Sequence, residues 1–586
     1  MNDSLSILLL AARAAWPIVR RAIASGQLLR PQCELVPPDP DVLCEYDVRI
    51  PMPEGFELNA SIFRSRKASA EGSRVPVVMC AHPYDNHLLP ALGRTPLGGP
   101  PQQYRMIPQV GRPRFSTITS WEAPDPNFWV AAGYAVVNLN LPGYGGSGGA
   151  PGLFSVEQAK SYYDAIEWVA AQPWSTGAVG LLGVSFLAIT QYHVAACRHY
   201  GGPPASLKCI APWEGLADMY REQSCPGGID DDGFAPFWWF TEVLPALTGS
   251  TADFARHNGG TPYELFNQHP FYDNFWREKA APLAEIDVPM LVCASFSDHG
   301  LHTTGSFRAF VEARSTHKWV YTHRTGKWDA FYSDEVEQLV KQFMDCFLKG
   351  DSSNGFLERA PVRLEVRSSR DVIHEVRDER EWPLARTVFT KLWLDGTRLS
   401  SVPADGASVA EHPARGGRST FTYRFDEPTE LTGPMKLHLW VEARGAGGEA
   451  PPDDMAIFVA IDKLDASGRS VRFRGSVGND RDMVTRGFCR ASRRELDAEA
   501  STDWQPVLRG TSHLPLAPHE RVSVDIALYA SSTFFDRGES IVLIVAADEI
   551  IPSPPYRKRV DCNRGVHRLH LGGECDSHLL VPVIPR

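Results

Sequence analysis

The stretch VGLLGVSFLAITQYH, residues 179–193, places Ser185 between a short apolar strand and a helix. A serine at such a tight turn is typical of a nucleophile elbow, because the strained backbone presents the hydroxyl at the edge of the sheet. Gly183 supplies the small residue that this turn needs two positions before the serine, whereas Leu187 stands two positions after it, where a small residue is usual. The stretch therefore favours a reactive Ser185, with a helix-capping serine as the alternative.

Short apolar runs alternate with helical patterns on both sides of this turn, from about residue 45 to 350. Near-continuous apolar strands separated by helices indicate a mostly parallel sheet that is covered on both faces. The sequence therefore predicts an α/β fold. The apolar runs are residues 75–81, 134–140, 179–183, 207–211, 289–294 and 318–322, and the clearest helical patterns are residues 155–172 and 333–350.

The pattern changes at several points along the 586 residues. A segment rich in aromatic residues, Pro and Gly predicts a cap inserted above the sheet, and the short alternating runs near the C-terminus predict an all-β sandwich of jelly-roll type. The expected divisions are an N-terminal extension at 1–44, an α/β domain at 45–211 and 286–350, a cap at 212–285, a linker at 351–384 and the jelly-roll domain at 385–586.

Composition narrows the classes of partner and compartment. The net charge of −11 disfavours nucleic acid or an anionic membrane as the main partner. The eleven cysteines are odd in number and lack metal-ligand spacing, so we expect thiols in a reducing, cytoplasmic compartment and no metal or other cofactor. The apolar segment near the N-terminus favours an amphipathic helix over a secretory signal.

A serine hydroxyl reacts only when a base removes its proton, so partners are expected after later strands in the order acid, then histidine. Asp298 follows the apolar run 289–294, and His323 follows the run 318–322. Parallel strands would bring both to the edge that holds Ser185. His299 and His302 are rivals for the base, but their closeness to Asp298 in the chain argues against one residue orienting the other.

Acyl transfer also needs hydrogen-bond donors for the oxyanion. The backbone N–H of Phe186, the residue after the serine, is one expected donor. The loop after the run 75–81 contains His82-Pro83-Tyr84, and the Tyr84 hydroxyl is the second candidate, with a packing aromatic as the alternative.

The glycine-rich loop PGYGGSGG, residues 142–149, also contains a G-x-S-x-G pattern around Ser147 and a G-x-G-x-x-G pattern. No helical pattern opens at the last glycine, so a bound dinucleotide phosphate would lack a helix N-terminus. Ser147 likewise lies outside a strand-to-helix turn. We therefore interpret this loop as a connection across the end of the sheet.

Several of these segments resemble the bacterial cocaine esterase and X-prolyl dipeptidyl-peptidase family of α/β-hydrolases. The resemblance implies an α/β-hydrolase domain with a cap and a jelly roll, in which Ser185 is the nucleophile, Asp298 the acid, His323 the base, and Tyr84 and the Phe186 amide the oxyanion donors. The segment THRTGKW (322–328) departs from the family by lacking the usual Gly-Pro-Trp approach to the histidine. The matching segments are VRIPMPEGFELNASIFRS (48–65), HPY (82–84), GVSFLAITQY (183–192), FNQHPFYDNFW (266–276), SFSDHG (295–300) and much of the tail from residue 485.

The residues and the resemblance together predict a serine hydrolase that cleaves small-molecule esters, and also amides, through an acyl-enzyme. Aromatic side chains would bind a bulky apolar part of the substrate, namely Trp213, Phe237, Trp238 and Trp239.

X-prolyl dipeptidyl-peptidase activity is the enzymatic alternative, and it would need carboxylates for the substrate amine, for which Glu214 and the run Asp230-Asp231-Asp232 are candidates. A non-catalytic binding protein is the second alternative. We expect no nucleic-acid or membrane partner, and a homodimer is a further expectation.

Overall fold

The computed structural model describes residues 2–24, 32–90, 104, 111–197, 201–475, 479–551 and 555–585, with side chains from residue 8 onward. In chain order the strands are β1 (Glu34–Val36), β2 (Val42–Pro51), β3 (Glu57–Ser65), β4 (Val75–His82), β5 (Arg114–Ser116), β6 (Ala135–Asn140), β7 (Ser175–Val184), β8 (Leu207–Trp213), β9 (Met290–Ser295), β10 (Lys318–His323), β11 (Val362–Arg367), β12 (Ile373–Glu379), β13 (Val388–Asp395), β14 (Arg398–Ser400), β15 (Ser408–Pro413), β16 (Arg418–Arg424), β17 (Thr429–Arg444), β18 (Ala456–Leu464), β19 (Ser470–Val471), β20 (Phe473–Gly475), β21 (Asn479–Asp482), β22 (Thr485–Arg490), β23 (Val522–Phe535), β24 (Ser540–Ala546), β25 (Val566–Leu571) and β26 (His578–Ile584).

The α-helices lie mainly in the first 350 residues. In chain order they are α1 (Asn2–Ala24), α2 (Arg66–Ala70), α3 (Pro126–Ala131), α4 (Val156–Ala170), α5 (Phe186–Ala195), α6 (Phe234–Trp238), α7 (Thr251–Asn258), α8 (Pro262–Gln268), α9 (Asn274–Lys279), α10 (Thr303–Glu312), α11 (Lys327–Phe331) and α12 (Asp334–Leu348). None of the helices in the described ranges combines the length and the apolar character that crossing a bilayer requires.

A mostly parallel sheet forms the centre of the α/β part. Its strands run in the order β2-β3-β6-β4-β7-β8-β9-β10-β11, with β2 and β3 paired antiparallel at one edge. Val77 and Met79 of β4 lie in one apolar core and Val78 in another, so both faces of the strand are covered. This explains why β4 reads as a continuous apolar run. The parallel arrangement brings the carboxyl ends of β4, β7, β9 and β10 to one edge.

Helix α4 shows how the sequence sets these boundaries locally. The Ser155 side chain accepts from the backbone N–H of Gln158, whose side chain accepts in return from the backbone of Ser155. This reciprocal pair satisfies N–H groups that would otherwise lack partners at the start of the helix. Ser333 caps α12 in a similar way by accepting from the backbone of Val336.

The cap lies above the carboxyl edge of the sheet, and it consists of short helices between Trp213 and Met290. Helix α1 packs on it, because Ala14 and Ile18 form an apolar cluster with Phe237 of α6. The opposite side of α1 carries exposed apolar side chains, namely Leu8, Leu9, Trp16 and Ile23.

The C-terminal part is a large all-β domain with its own apolar core. Its longest strand, β17, pairs antiparallel with β23, β25 and β26, while β18 pairs with β22 and β24. The predicted α/β fold with a C-terminal β domain is therefore what the chain forms. The predicted boundaries stay predictions, and the N-terminal extension at 1–44 includes residues 25–31, which lie outside the described residues.

Arg367 of β11 connects the two parts. It is 1 % exposed, and its guanidinium donates to the backbone oxygens of Phe296, Val484 and Ser532 and to the Ser531 hydroxyl. Because Phe296 lies two residues before Asp298, the C-terminal domain supports the loop that carries this carboxylate.

Candidate active site

The turn at Ser185 has the strained geometry that its sequence predicts. Strand β7 ends at Val184 and helix α5 begins at Phe186, and Ser185 between them has φ 60° and ψ −115°. A Cβ at Gly183 would stand 2.5 Å from the Cβ of Leu187, so glycine is needed here because of the leucine on the other side of the turn. The Ser185 N–H donates to the Trp213 carbonyl at 3.0 Å, which fixes the turn against β8. A non-glycine residue held at positive φ is a mark of functional sites.

Ser185, His302 and Asp298 form a hydrogen-bonded chain. The Ser185 Oγ lies 3.1 Å from the His302 Nε2, and the His302 Nδ1 lies 2.5 Å from the Asp298 Oδ2. A carboxylate can only accept, so Nδ1 carries the hydrogen and Nε2 is left to accept from the serine. His302 is 1 % exposed and Asp298 is 4 % exposed. This is the arrangement of nucleophile, base and orienting acid.

The expected contact between His323 and Ser185 is wrong. His323 is the last residue of β10, opposite Ser295 of β9, and its ring stacks on Trp213 with centroids 6.0 Å apart. Its Nδ1 accepts from the Thr325 N–H at 3.2 Å, so its Nε2 carries the hydrogen and donates to the Glu214 Oε1 at 2.8 Å. His323 is thus engaged away from the serine.

The base that sequence reasoning set aside is the one the structure brings to Ser185. His302 is the N-cap residue of α10 and lies four residues after Asp298. The chain turns in a helical sense over these four residues, with the Leu301, His302 and Thr303 N–H groups all directed to the Asp298 carbonyl. Side chains four apart in such a turn lie on one side, so closeness in sequence favours the contact. The sequence feature that could have identified His302 is its position four residues after Asp298, the candidate acid.

Lys327 occupies the space beside the acid and the base. It lies in the segment after β10, and its Nζ donates to the Asp298 Oδ2 at 3.3 Å and stands 3.2 Å from the His302 Nδ1. Burial would lower the pKa of Lys327, but Asp298, Glu122 and Glu214 together raise it above its usual value. The ammonium therefore stays charged beside these three acidic groups.

The burial of His302 and the charges beside it set the pKa of its imidazole. Burial and the nearby Lys327 together lower the pKa of His302 to about 4, although Asp298 acts in the opposite direction. The imidazole is therefore neutral and able to accept a proton at all but acidic pH. Burial also raises the pKa of Glu122 to about 8, with Lys327 opposing the shift.

We expect Lys327→Met to move the acid limb of the kcat/KM profile to higher pH. Activity requires neutral His302, so it falls as the pH drops through the pKa of that group, and removing a positive charge 3.2 Å away raises the pKa. A shift of about one pH unit or more is expected for so close a charge. Steady-state profiles from pH 3.5 to 8 measure it, with exposed Lys208→Met as the control that keeps the wild-type limb. An unchanged or lowered limb would contradict this role.

The two candidate oxyanion donors stand beside the serine. Phe186 is the first residue of α5, where backbone N–H groups lack acceptors within the helix. Tyr84 follows β4 and lines the same pocket as Ser185 and His302. The His82 ring Nδ1 donates to the Tyr84 carbonyl at 3.0 Å and holds this loop in place.

The pocket next to Ser185 is predominantly apolar. Gln223, 3 % exposed, is its main polar residue away from the reacting groups. Its other walls come from the sheet edge and the cap, with Leu153, Phe154, Phe186, Ile189, Leu216, Met219, Phe234, Ala235, Trp238, Pro262, Phe266 and Leu301.

Only one of the four aromatic residues expected to bind substrate lies on this pocket, namely Trp238. Trp213 is fully buried at the end of β8, where its ring stacks on His323. Phe237 packs under α1, and Trp239 packs on Phe254 with ring centroids 4.7 Å apart. Consecutive helical residues point about 100° apart, so three neighbouring aromatics cannot share one face.

The carboxylates considered for binding a substrate amine have other partners. Asp231 pairs with Lys558 at 2.8 Å, and Asp230 pairs with Arg559, both in the C-terminal domain. Asp232 lies 3.6 Å from Arg557. With Glu214 held by His323, these acids fix the cap to its neighbours.

Ser147 has a structural role. Its Oγ donates to the Asn140 carbonyl at 2.7 Å and accepts from the Asn59 N–H at 2.8 Å. Both contacts hold the glycine loop against the end of the sheet.

Within the residues that the structure describes, two sets of side chains could approach one metal ion, but neither fits well. Glu214, Asp298 and His302 lie within 4.8 Å of one another, yet the Lys327 ammonium already stands against two of them. The other set is Glu214, Cys293 and His323. Burial raises the pKa of the Cys293 thiol well above its usual value, which disfavours the thiolate that a metal would need.

Comparison with known proteins matches the two parts of the chain to the two domains of one kind of enzyme. Residues 54–329 match the X-Pro dipeptidyl-peptidase (S15 family), and residues 354–580 match the X-Pro dipeptidyl-peptidase C-terminal non-catalytic domain. The cocaine esterase of Rhodococcus sp. (strain MB1 Bresler) is 24 % identical over 92 % of this chain and 98 % of its own length.

Solved structures extend this similarity. A CocE/NonD family hydrolase from Staphylococcus aureus is 34 % identical, with a TM-score of 0.82 over 93 % of this chain and 94 % of that one. An α-amino acid ester hydrolase, 17 % identical, has a TM-score of 0.66 over 93 % of this chain and 97 % of its own, which supports the fold alone.

Proposed function

The chain belongs to the CocE/NonD family of hydrolases and is therefore a serine hydrolase, and from that premise we propose that it cleaves carboxylic esters through an acyl-enzyme formed on Ser185. The hydrogen-bonded chain from Ser185 through His302 to Asp298 is the observation that carries the proposal. A base on the serine and a carboxylate on the base are what acyl transfer requires.

The reaction then follows from the geometry. The Ser185 Oγ attacks the substrate carbonyl while its proton moves to the His302 Nε2, and the carbonyl electron pair moves onto oxygen, where Tyr84 and the Phe186 N–H donate to it. His302 passes the proton to the leaving alcohol as the ester bond breaks. Water then attacks the acyl-enzyme by the same route and releases the acid.

The apolar pocket supports an ester with a bulky apolar acyl or alcohol group. The proposal includes amides, because their carbonyl carbon can be attacked by the Ser185 Oγ in the same way. X-prolyl dipeptidyl-peptidase activity is less well supported, because Asp230 and Asp231 pair with basic residues of the C-terminal domain.

A fluorophosphonate probe tests the nucleophile directly. Its phosphorus forms a bond to the Ser185 Oγ as fluoride leaves, so the peptide that contains Ser185 gains the mass of the phosphonyl group. Ser185→Ala should remain unlabelled. Labelling of any other serine in the wild type would overturn the assignment.

We expect aryl esters to be hydrolysed with a higher kcat/KM than Xaa-Pro anilides. The reason is that Asp230, Asp231 and Glu214, the carboxylates considered for the substrate amine, already pair with basic side chains or a histidine. Steady-state assays with nitrophenyl esters of increasing acyl size and with Xaa-Pro nitroanilides compare the two classes. A preference for the anilides would favour the peptidase instead.

We expect Tyr84→Phe to lower kcat by about 10²–10³, the usual effect of removing one oxyanion donor. The substitution removes only the hydroxyl and keeps the ring that packs edge-on against Phe186. Tyr144→Phe is a matched control, since the Tyr144 hydroxyl donates to the Gly152 carbonyl away from the serine. Equal kcat values for wild type and Tyr84→Phe would remove Tyr84 from the oxyanion hole.

Three further expectations belong to this proposal. The mostly antiparallel pairing among β13–β18 and β22–β26 supports a jelly-roll topology for the C-terminal domain. No disulfide joins the eleven cysteines, all of which lie in the described residues, and this supports a cytoplasmic location. The partners expected are a small-molecule ester or amide and a second copy of the chain, and light scattering tests the homodimer.

A further inference from the structure

The cap contacts the proposed oxyanion hole through one side chain. Trp238 is the last residue of α6, and its indole N–H donates to the Tyr84 hydroxyl oxygen at 3.3 Å. The same indole stacks on the Phe186 ring, with centroids 5.8 Å apart and planes at 19°. Tyr84 and Phe186 are the residues that provide the two proposed donors, and Trp238 touches both.

The direction of this hydrogen bond matters for catalysis. An indole N–H can only donate, so the Tyr84 oxygen must be the acceptor. The hydroxyl hydrogen of Tyr84 is then left for another acceptor, and the rotation of the hydroxyl is restricted. A donor that is already oriented stabilises a developing oxyanion without reorganisation.

Burial favours a protonated Tyr84. It raises the pKa of the Tyr84 hydroxyl well above its usual value, and Glu122 and Glu242 act in the same direction, whereas the Trp238 hydrogen bond acts against them. The hydroxyl therefore keeps the hydrogen that it needs as a donor.

We propose that Trp238 is a positioning residue that connects the cap to the oxyanion hole by orienting the Tyr84 hydroxyl. The inference rests on the proposed function, because it gives Tyr84 a task only if an oxyanion forms at Ser185. Helix α1 supports the arrangement, since its Ala14 and Ile18 pack on Phe237, the residue before Trp238.

A double-mutant cycle tests this coupling with four enzymes, namely the wild type, Trp238→Phe, Tyr84→Phe and the double variant. Phenylalanine keeps a ring for stacking on Phe186 and removes the N–H. A short acyl ester such as nitrophenyl acetate limits effects from substrate contacts with the indole. We expect Trp238→Phe to lower kcat about 3–10-fold, as the loss of one hydrogen bond predicts, with little change in KM.

The same substitution should have no further effect on kcat when Tyr84 is already phenylalanine, because the hydroxyl to be oriented is gone. A trifluoromethyl ketone that adds to Ser185 provides a second readout. Its affinity should fall in Trp238→Phe by the same factor as kcat.

Trp239→Phe is the matched control, because it makes the same change one residue along, where the indole packs on Phe254. It should keep the wild-type kcat, and circular dichroism should show all variants folded. An equal loss from Trp238→Phe in both backgrounds would overturn the inference and leave the proposed function standing. If Tyr84→Phe alone left kcat unchanged, the oxyanion assignment itself would fail, and the inference with it.

Discussion

Replacing Ser185 with alanine should lower kcat for ester hydrolysis by about 10⁶-fold, the scale seen when the nucleophile of a triad is removed. The reason lies in the geometry of one atom. The Ser185 Oγ, the proposed nucleophile, is held 3.1 Å from the His302 Nε2, at a turn whose strained backbone presents it to the pocket. Alanine keeps that turn and removes the oxygen.

The same substitution should leave the fold nearly unchanged. It removes one partly exposed hydrogen bond, so the free energy of unfolding should change by about 1 kcal/mol or less. Thermal unfolding followed by circular dichroism provides this control. Binding of the acid product should also persist, because the apolar pocket is intact. Hydrolysis near the wild-type rate would rule out Ser185 as the nucleophile.

The second prediction with a large effect on kcat distinguishes His302 from His323 as the base. We expect His302→Gln to lower kcat by about 10⁴–10⁶-fold, because the glutamine amide cannot accept the serine proton as a base. His323→Gln should cost less than about tenfold, since the glutamine Nε2 can still donate to Glu214 as the imidazole does. Both variants carry the same chemical change in a buried position, so each controls for the other.

Kinetics with one nitrophenyl ester and a fluorophosphonate labelling rate measure this pair. Labelling should be slow in His302→Gln and near the wild-type rate in His323→Gln, because activation of the serine precedes both reactions. The reverse result would show that the base is His323 and that the serine moves towards it during turnover.

The sequence predicted those parts of the site that depend on local pattern. An apolar strand, a G-x-S turn and an immediate helix give Ser185 its position, and Asp298 and Tyr84 each lie just beyond an apolar run. Parallel strands then place all three at one edge. Elements that repeat a strand-and-helix pattern are readable from a single chain because each strand is buried on both faces.

The identity of the base could not be read in this way. His323 follows an apolar run as the pattern requires, but its ring stacks on Trp213 and its Nε2 donates to Glu214, away from Ser185. His302 depends on how the chain turns after Asp298, which is decided by the start of α10 rather than by a strand. Lys327 was missed for the same reason, because its partners come from distant segments.

The residues of the cap that line the pocket were also difficult to predict from the sequence. Its aromatic composition predicts an apolar pocket, yet only tertiary packing decides that Trp238 faces the serine while Phe237 lies under α1 and Trp239 on Phe254. The run from Asp230 to Asp232 likewise suited a substrate amine in the sequence, but the C-terminal domain brings Lys558 and Arg559 against it.

The outward side of α1 has a practical consequence for kinetic work. Leu8, Leu9, Trp16 and Ile23 are exposed there, on the same helix that packs on Phe237 of the cap through Ala14 and Ile18. Detergents and organic cosolvents that are added to dissolve apolar substrates can bind to these exposed side chains, which lie outside the pocket at Ser185. A hydrolysis rate that depends on the surfactant would then reflect binding of the surfactant to α1. Assays in buffer without surfactant should therefore come first.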